Sequence, residues 1–144
     1  MADPAPHSRV AWSEIATRDH APALALVCLG VWLHAADGLI VATMLPAIVA
    51  EIGGGALVAW SVALYEIGSI VAGATGGFLA LRYGLRLPMT LAGILFAIGC
   101  LVSAFAPTMP VLLSGRLLQG LGGGGLMALS FVAVSILFPP RLMA

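Results

Sequence analysis

Polar and charged residues are gathered into short breaks between four long apolar runs, at about 23–50, 56–81, 88–106 and 111–138. Each run approaches or exceeds the roughly 20 residues that a helix needs to cross the hydrocarbon of a bilayer. The pattern predicts an all-α integral membrane protein of four transmembrane helices. A segment at 1–22 precedes them and a short end at 139–144 follows. Prolines punctuate the scheme. Pro22 and Pro88 stand where helices start and a missing N–H costs little. Pro107 and Pro110 bracket the third connection, and Pro139 with Pro140 stops the fourth helix. Pro46 lies inside the first run and is expected to kink or end that helix in its last turns.

Composition agrees with the pattern. Of 144 residues, 61% are hydrophobic and only 8% charged, where a soluble domain carries about 25% charged residues. The mean hydropathy is +1.11. So much apolar surface calls for lipid as the solvent. The net charge is zero and lysine is absent, which argues against nucleic acid as a partner. Cys28 and Cys100 sit inside apolar runs without metal-ligand spacing and read as buried free thiols.

The arginines predict orientation through the positive-inside rule. Arg9 and Arg18 precede the first helix, Arg82 and Arg86 lie between the second and third, and Arg141 follows the fourth. The other two connections contain no arginine. Both termini and the "RYGLR" loop are therefore expected on the cytoplasmic side. Before the first helix, Trp12, Ile15 and Ala16 share one helical face and would suit a short helix at the interface. An unstructured polar tail is the other reading. The segment lacks the basic start and short apolar core of a cleaved signal.

Four ionisable residues fall within the runs: His34, Asp37, Glu66 and Arg116. Such groups are costly in lipid and should face a partner helix or a wet cavity. Asp37 lies near the middle of its run, and His34 is three residues earlier on the same face. Gly30, His34, Asp37, Val41 and Met44 make one stripe. Asp37 reads as a group that exchanges a proton or meets a cationic substrate, with a purely structural hydrogen bond as the alternative. His34 reads as a polar partner within the helix packing. Glu66 is followed by Ser69, Gly73 and Gly77 on one small-residue face, which would let helices approach closely. If Glu66 shares that face it points into the bundle, either as a second protonation site or as a neutral acid in an interhelical hydrogen bond. Arg116 stands near the outer end of its run, where its side chain could snorkel to water. Gln119 at i+3, with Gly120 and Gly124 beyond, argues instead that Arg116 looks into the bundle. The glycine run after Gln119 lacks the lysine–hydroxyl ending and the preceding strand of a phosphate loop. Without a Ser/His/Asp set, a metal cluster or a dinucleotide fingerprint, the sequence supports neither an enzyme nor a cofactor.

These residues together resemble the major facilitator superfamily of secondary transporters, in its fourteen-helix drug/proton antiporter branch. "DGLIVATMLPAIVAEIGG" resembles the first-helix signature, matching at Asp37, Leu45 and Pro46. Leu39 replaces the usual Thr there, and Ala42 the usual Asn. "WSVALYEIG" is similar to the start of the second helix at Trp60 and Tyr65. "GRLLQGLGGGG" resembles the fourth-helix motif at Arg116, Gln119 and Gly120. "GGFLALRYGLR" resembles the loop motif after the second helix, with Gly77, Leu79, Arg82, Gly84 and Arg86 in place. Leu81 stands where the family has an Asp that ties this loop to the other half of the transporter, and Leu85 where it often has a basic residue. The resemblance implies a proton-coupled efflux antiporter of the inner membrane, working by alternating access on a small-molecule substrate. The resemblance makes Asp37 and Arg116 cavity-lining candidates, and Glu66, Gln119 and His34 join them as candidate coupling or cavity residues from the residue reading alone. It also implies a larger fold of inverted three-helix repeats. Four helices make one repeat and the start of the next, so a truncated or partial chain, or a split subunit, is expected, lacking its C-terminal helices or partner chain. The alternative is a self-contained four-helix membrane protein, acting as a homo-oligomeric small transporter or as an interaction protein.

Overall fold

A computed structural model describes residues 21–137. The interfacial-helix reading of Trp12, Ile15 and Ala16 falls outside these residues, as do Arg9, Arg18, Arg141 and the Pro139–Pro140 stop. Four helices follow one another: α1 Ala21–Ile52, α2 Val58–Tyr83, α3 Arg86–Ala104 and α4 Met109–Leu137, with a short 3₁₀ turn at Gly55–Leu57. All four are long and apolar enough to cross a membrane. In hydrocarbon the backbone must satisfy its own hydrogen bonds, which is why these runs are helices throughout.

The helices overrun the expected bounds at several ends. Pro46 does not end α1, which continues through it to Ile52, where the N–H of Gly53 bonds the Val49 carbonyl at 3.0 Å. Proline at 46 removes one intrahelical hydrogen bond there without ending the helix. Pro110 lies in the first turn of α4 rather than in the connection. That position has no intrahelical partner for an N–H, so proline fits. Arg82 is in the last turn of α2 and Arg86 is the first residue of α3. The basic "loop" is thus only Gly84–Leu85, with an arginine on each flank. Gly84 has φ 77° and ψ 171°, a conformation essentially reserved for glycine.

The core belongs to α4, against which the other three helices pack. Met109, Leu112, Leu129 and Ala133 of α4 are buried, with Tyr65 of α2 the other buried hydrophobic side chain among the described residues. Lipid gives helices little hydrophobic reason to associate, so close backbone approach and polar contacts must do it. Glycine supplies the approach. A Cβ at Gly120 would collide with the Tyr65 carbonyl, and one at Gly124 with the Ser69 backbone. From the other side, a Cβ at Gly68 would lie 2.8 Å from the Leu117 carbonyl oxygen. On α3, a Cβ at Gly99 would lie 2.6 Å from the Gln119 nitrogen. α2 and α3 are therefore seated on α4 backbone to backbone. By contrast, no described side chain of α1 is fully buried. α1 meets α4 at a glycine once, where a Cβ on Gly30 would lie 3.2 Å from the Ser130 hydroxyl.

The small-residue face of α2 differs from the expected one. The buried positions are Ser61, Tyr65, Gly68 and Gly76. Gly73 reaches only the Ala128 methyl, at 3.9 Å, and Gly77 has nothing within 4 Å. The GxxxG pair of Gly73 and Gly77 is thus beside the seam. Glu66, one position on from Tyr65, is exposed on the outside of the four helices. Nor are the thiols both buried. Cys28 is exposed and Cys100 half-buried, both free, because Cys28 lies on the loosely packed α1.

Candidate functional site

The site is built from all four helices, toward the end of the bundle that carries the Gly55–Leu57 turn. Arg116 is in the second or third turn of α4, Ser61 and Tyr65 are early in α2, Cys100 and Ser103 are late in α3, and α1 contributes its middle. Arg116 and Asp37 form a salt bridge at 2.8 Å, with side chains 5% and 11% exposed. One guanidinium nitrogen, Nη1, donates to both carboxylate oxygens, at 2.9 Å to Oδ1 and 2.8 Å to Oδ2. Among the described residues this is the one ion pair.

The remaining contacts of Arg116 fix its plane. Nη1 also donates to Gln119 Oε1 at 3.0 Å, and Nε donates to the Ser61 carbonyl at 3.4 Å. Its guanidinium carbon lies 4.5 Å from the centre of the Tyr65 ring, within the range of a cation–π contact. Gln119 is itself oriented from α3. The Ser103 hydroxyl donates to Oε1 at 3.2 Å, and Nε2 donates to the Cys100 sulfur at 3.3 Å. With its amide nitrogen on sulfur, Gln119 turns its oxygen to the arginine. Tyr65 OH and His34 Nδ1 are hydrogen-bonded at 2.8 Å, the donor being set by the imidazole tautomer. Every buried polar side-chain atom described has a partner. A buried ion pair has to recover the cost of losing water, and saturating hydrogen bonds of this kind are how it does so.

Beside the pair lies a cavity of about 410 Å³. Asp37, Arg116, Gln119, Ser61 and Ser103 form its polar end, and Ile40, Val41, Met44, Leu45, Ile48 and Leu112 its apolar wall. Most of that wall is one face of α1, continuing the stripe that holds His34 and Asp37. A cavity of this kind suits an apolar molecule with a polar or charged end.

The structure brings together Asp37, Arg116, Gln119 and His34 from among the expected residues. Arg116 looks into the bundle and does not snorkel. Glu66 is not part of the cluster. Gly120 and Gly124 are in the α2–α4 seam, while Gly73 and Gly77 are not. Arg82 and Arg86 are exposed at the opposite end of the bundle, where the guanidinium of Arg82 lies 5.5 Å from the centre of the Tyr83 ring. Leu81, also exposed, is 89% accessible in the last turns of α2. Tyr65, Ser61, Cys100 and Ser103 are cluster members that sequence reasoning did not select. For Tyr65 a signal existed, because its hydroxyl needs a partner in an apolar run and Ser61, Tyr65 and Gly68 share a face. For Cys100 and Ser103 none did.

The sequence model of the Major Facilitator Superfamily matches residues 27–144. Among curated proteins, the chain is 36% identical over 131 residues to a Mycobacterium tuberculosis protein named "Probable multidrug-efflux transporter", covering 91% of this chain and 28% of that one. It is 36% identical to "Multidrug resistance protein 3" of Bacillus subtilis, covering 78% and 22%. It is 32% identical to "Azole resistance protein 1" of Saccharomyces cerevisiae, covering 79% and 19%. The chain thus spans between a fifth and rather more than a quarter of these relatives. No solved structure matches it.

Proposed function

The chain belongs to the major facilitator superfamily, and from that premise we propose that its four helices are the N-terminal part of a proton-coupled efflux antiporter working by alternating access. The observation that carries the reading is the Asp37–Arg116 pair, buried among four membrane helices beside a cavity. The names of the relatives supply the direction and the breadth, as multidrug efflux. The arginines at 82 and 86 and beyond the described ends favour both termini cytoplasmic, and the family resemblance favours the inner membrane.

In this mechanism Asp37 is the proton carrier. As a carboxylate it holds Arg116 and, through it, ties α1 to α4. A proton on Asp37 removes the charge that the arginine answers. What then remains of the tie is a hydrogen bond from the still-charged guanidinium to a neutral carboxyl, weaker for the loss of the ion-pair attraction. α1 is the least buried helix, so it is the element free to shift when the tie weakens, and its face lines the cavity. A lipophilic substrate that presents a cation to Asp37 competes with both the proton and Arg116. Exchange of proton for substrate follows from that competition at one carboxylate.

The test is ethidium efflux from cells expressing the protein, with and without a protonophore. Asp37→Asn is expected to abolish protonophore-sensitive efflux while the protein is still inserted. Undiminished efflux in that variant overturns the reading. A second reading, four helices acting as a homo-oligomer, is favoured by one observation. Glu66 is exposed on the outer face of α2, and a carboxylate there calls for a polar partner, which another copy would supply. Native mass spectrometry of the purified chain decides, since a single monomeric species excludes it.

A further inference from the structure

We propose that Tyr65, held in place by His34, is the positioning residue that aims Arg116 at Asp37. The proposal deepens the reading above, since it concerns the same pair, but its test does not use transport.

Arg116 is held at its edges by Asp37, Gln119 and the Ser61 carbonyl. Edge contacts leave the guanidinium free to swing about its long axis toward the cavity. The Tyr65 ring covers one face at 4.5 Å and removes that freedom. An aliphatic side chain of similar bulk would fill the space without attracting a cation. The ring is itself rigidly seated. Tyr65 is 3% exposed, and its backbone lies against Gly120, where no Cβ would fit. Its hydroxyl passes over Gly123, where a Cβ would lie 3.0 Å away. It ends on His34 Nδ1 at 2.8 Å, with the two rings tilted 35° and 5.5 Å apart.

His34 and Asp37 are three residues apart on α1, and each meets one member of the Arg116–Tyr65 stack. α1 therefore grips the stack twice, through its carboxylate on Arg116 of α4 and through its imidazole on Tyr65 of α2. The hydroxyl fixes the tilt of the ring, the ring fixes the plane of the guanidinium, and the guanidinium fixes the charge beside Asp37. The titratable groups around this chain of contacts are His34 and Asp37 on α1, Tyr65 on α2, Cys100 on α3 behind Gln119, and Arg116 on α4. Glu66 faces outward from α2.

A hydrophobic carbodiimide tests the proposal, because it labels protonated carboxyl groups within membranes and spares carboxylates held in ion pairs. The full chain is reconstituted in liposomes and treated at pH 7.5, and the label on the Asp37 peptide is quantified by mass spectrometry, apart from Glu66 and Glu51. Arg116→Gln sets the upper limit of labelling. Tyr65→Leu is expected to raise Asp37 labelling about threefold to tenfold over the wild type, a range between that of an exposed and that of a fully desolvated cation–π contact. Tyr65→Phe keeps the ring and is expected to lie much nearer the wild type. His34→Ala should match Tyr65→Phe, and the double variant should add nothing, since both remove one hydrogen bond. Wild-type labelling in Tyr65→Leu overturns the proposal, and so does equal labelling in Tyr65→Leu and Tyr65→Phe. Should Tyr65→Leu fail to insert, additive effects of Tyr65→Phe and His34→Ala overturn it instead.

Discussion

At the scale of single residues, Arg116 bears the most contacts in the molecule that depend on its chemistry. Removing it leaves Asp37 buried without a counter-charge, which costs about 3–5 kcal/mol in comparable buried pairs. Arg116→Ala should therefore lower the thermal midpoint of the detergent-solubilised protein by many degrees. Arg116→Lys keeps the charge but not the planar fork or the face that stacks on Tyr65, so it should fall between Arg116→Ala and wild type. Equal midpoints in all three would show that the pair holds nothing together. Gln119 makes a quieter contribution. Its nitrogen rests on the Cys100 sulfur, and its oxygen is thereby turned to the arginine. The involvement of Asp37, His34, Arg116 and Gln119 was legible in the sequence because charge and amide are conspicuous in an apolar run. The involvement of Cys100 and Ser103 was not, because a small polar residue in such a run is unremarkable until the crossing point of two helices is known.

At the scale of helices, the glycines divide into those that are seams and those that are not. Gly120→Ala would drive a methyl into the α2 backbone, and overpacking of this kind costs about 1–3 kcal/mol. Gly77→Ala meets open space and should change stability by less than about 0.5 kcal/mol. Unfolding in increasing dodecyl sulfate, followed by circular dichroism, separates the two. A similar loss in both would show that the seam has been wrongly located. Gly84→Ala should cost about 1–3 kcal/mol for a different reason, the backbone conformation at the turn. The four runs were plain from hydropathy alone, since each is long and uninterrupted. Their ends were less so. Local signals such as Pro46 and the arginine at 82 suggested early stops, but helices in lipid extend wherever neighbouring elements still cover their backbone. Which face of α2 is buried could not be read from spacing. Both the Glu66–Gly73–Gly77 and the Ser61–Tyr65–Gly68 faces are rich in small residues, and only the position of α4 chooses between them.

At the scale of the whole molecule, α2 and α3 are closely packed on α4, and α1 lies against it. The proposed orientation is tested by single cysteines in a background without Cys28 and Cys100. An impermeant maleimide should label Gly55→Cys in intact cells and Leu85→Cys after lysis. The reverse pattern would invert the topology. The outer surface is also uneven. Leu29, Trp32, Leu39, Ile70, Phe78 and Phe105 are broadly exposed, as a chain solvated by lipid requires. Among the described residues, Glu66 is the exposed charge that lies mid-helix on that surface, Glu51, Arg82 and Arg86 being at helix ends.

The loose packing of α1 has a thermodynamic corollary. α2 and α3 are attached to α4 by shape, and attachment by shape is indifferent to the ionic state of the medium. No described side chain of α1 is fully buried, so its attachment leans on a carboxylate and an imidazole. Of the three attachments to α4 it is therefore the one that loss of a single polar group weakens most, whereas the glycine seams yield only to added bulk. The four helices are thus joined in two ways, by fit on one side of the bundle and by charge on the other.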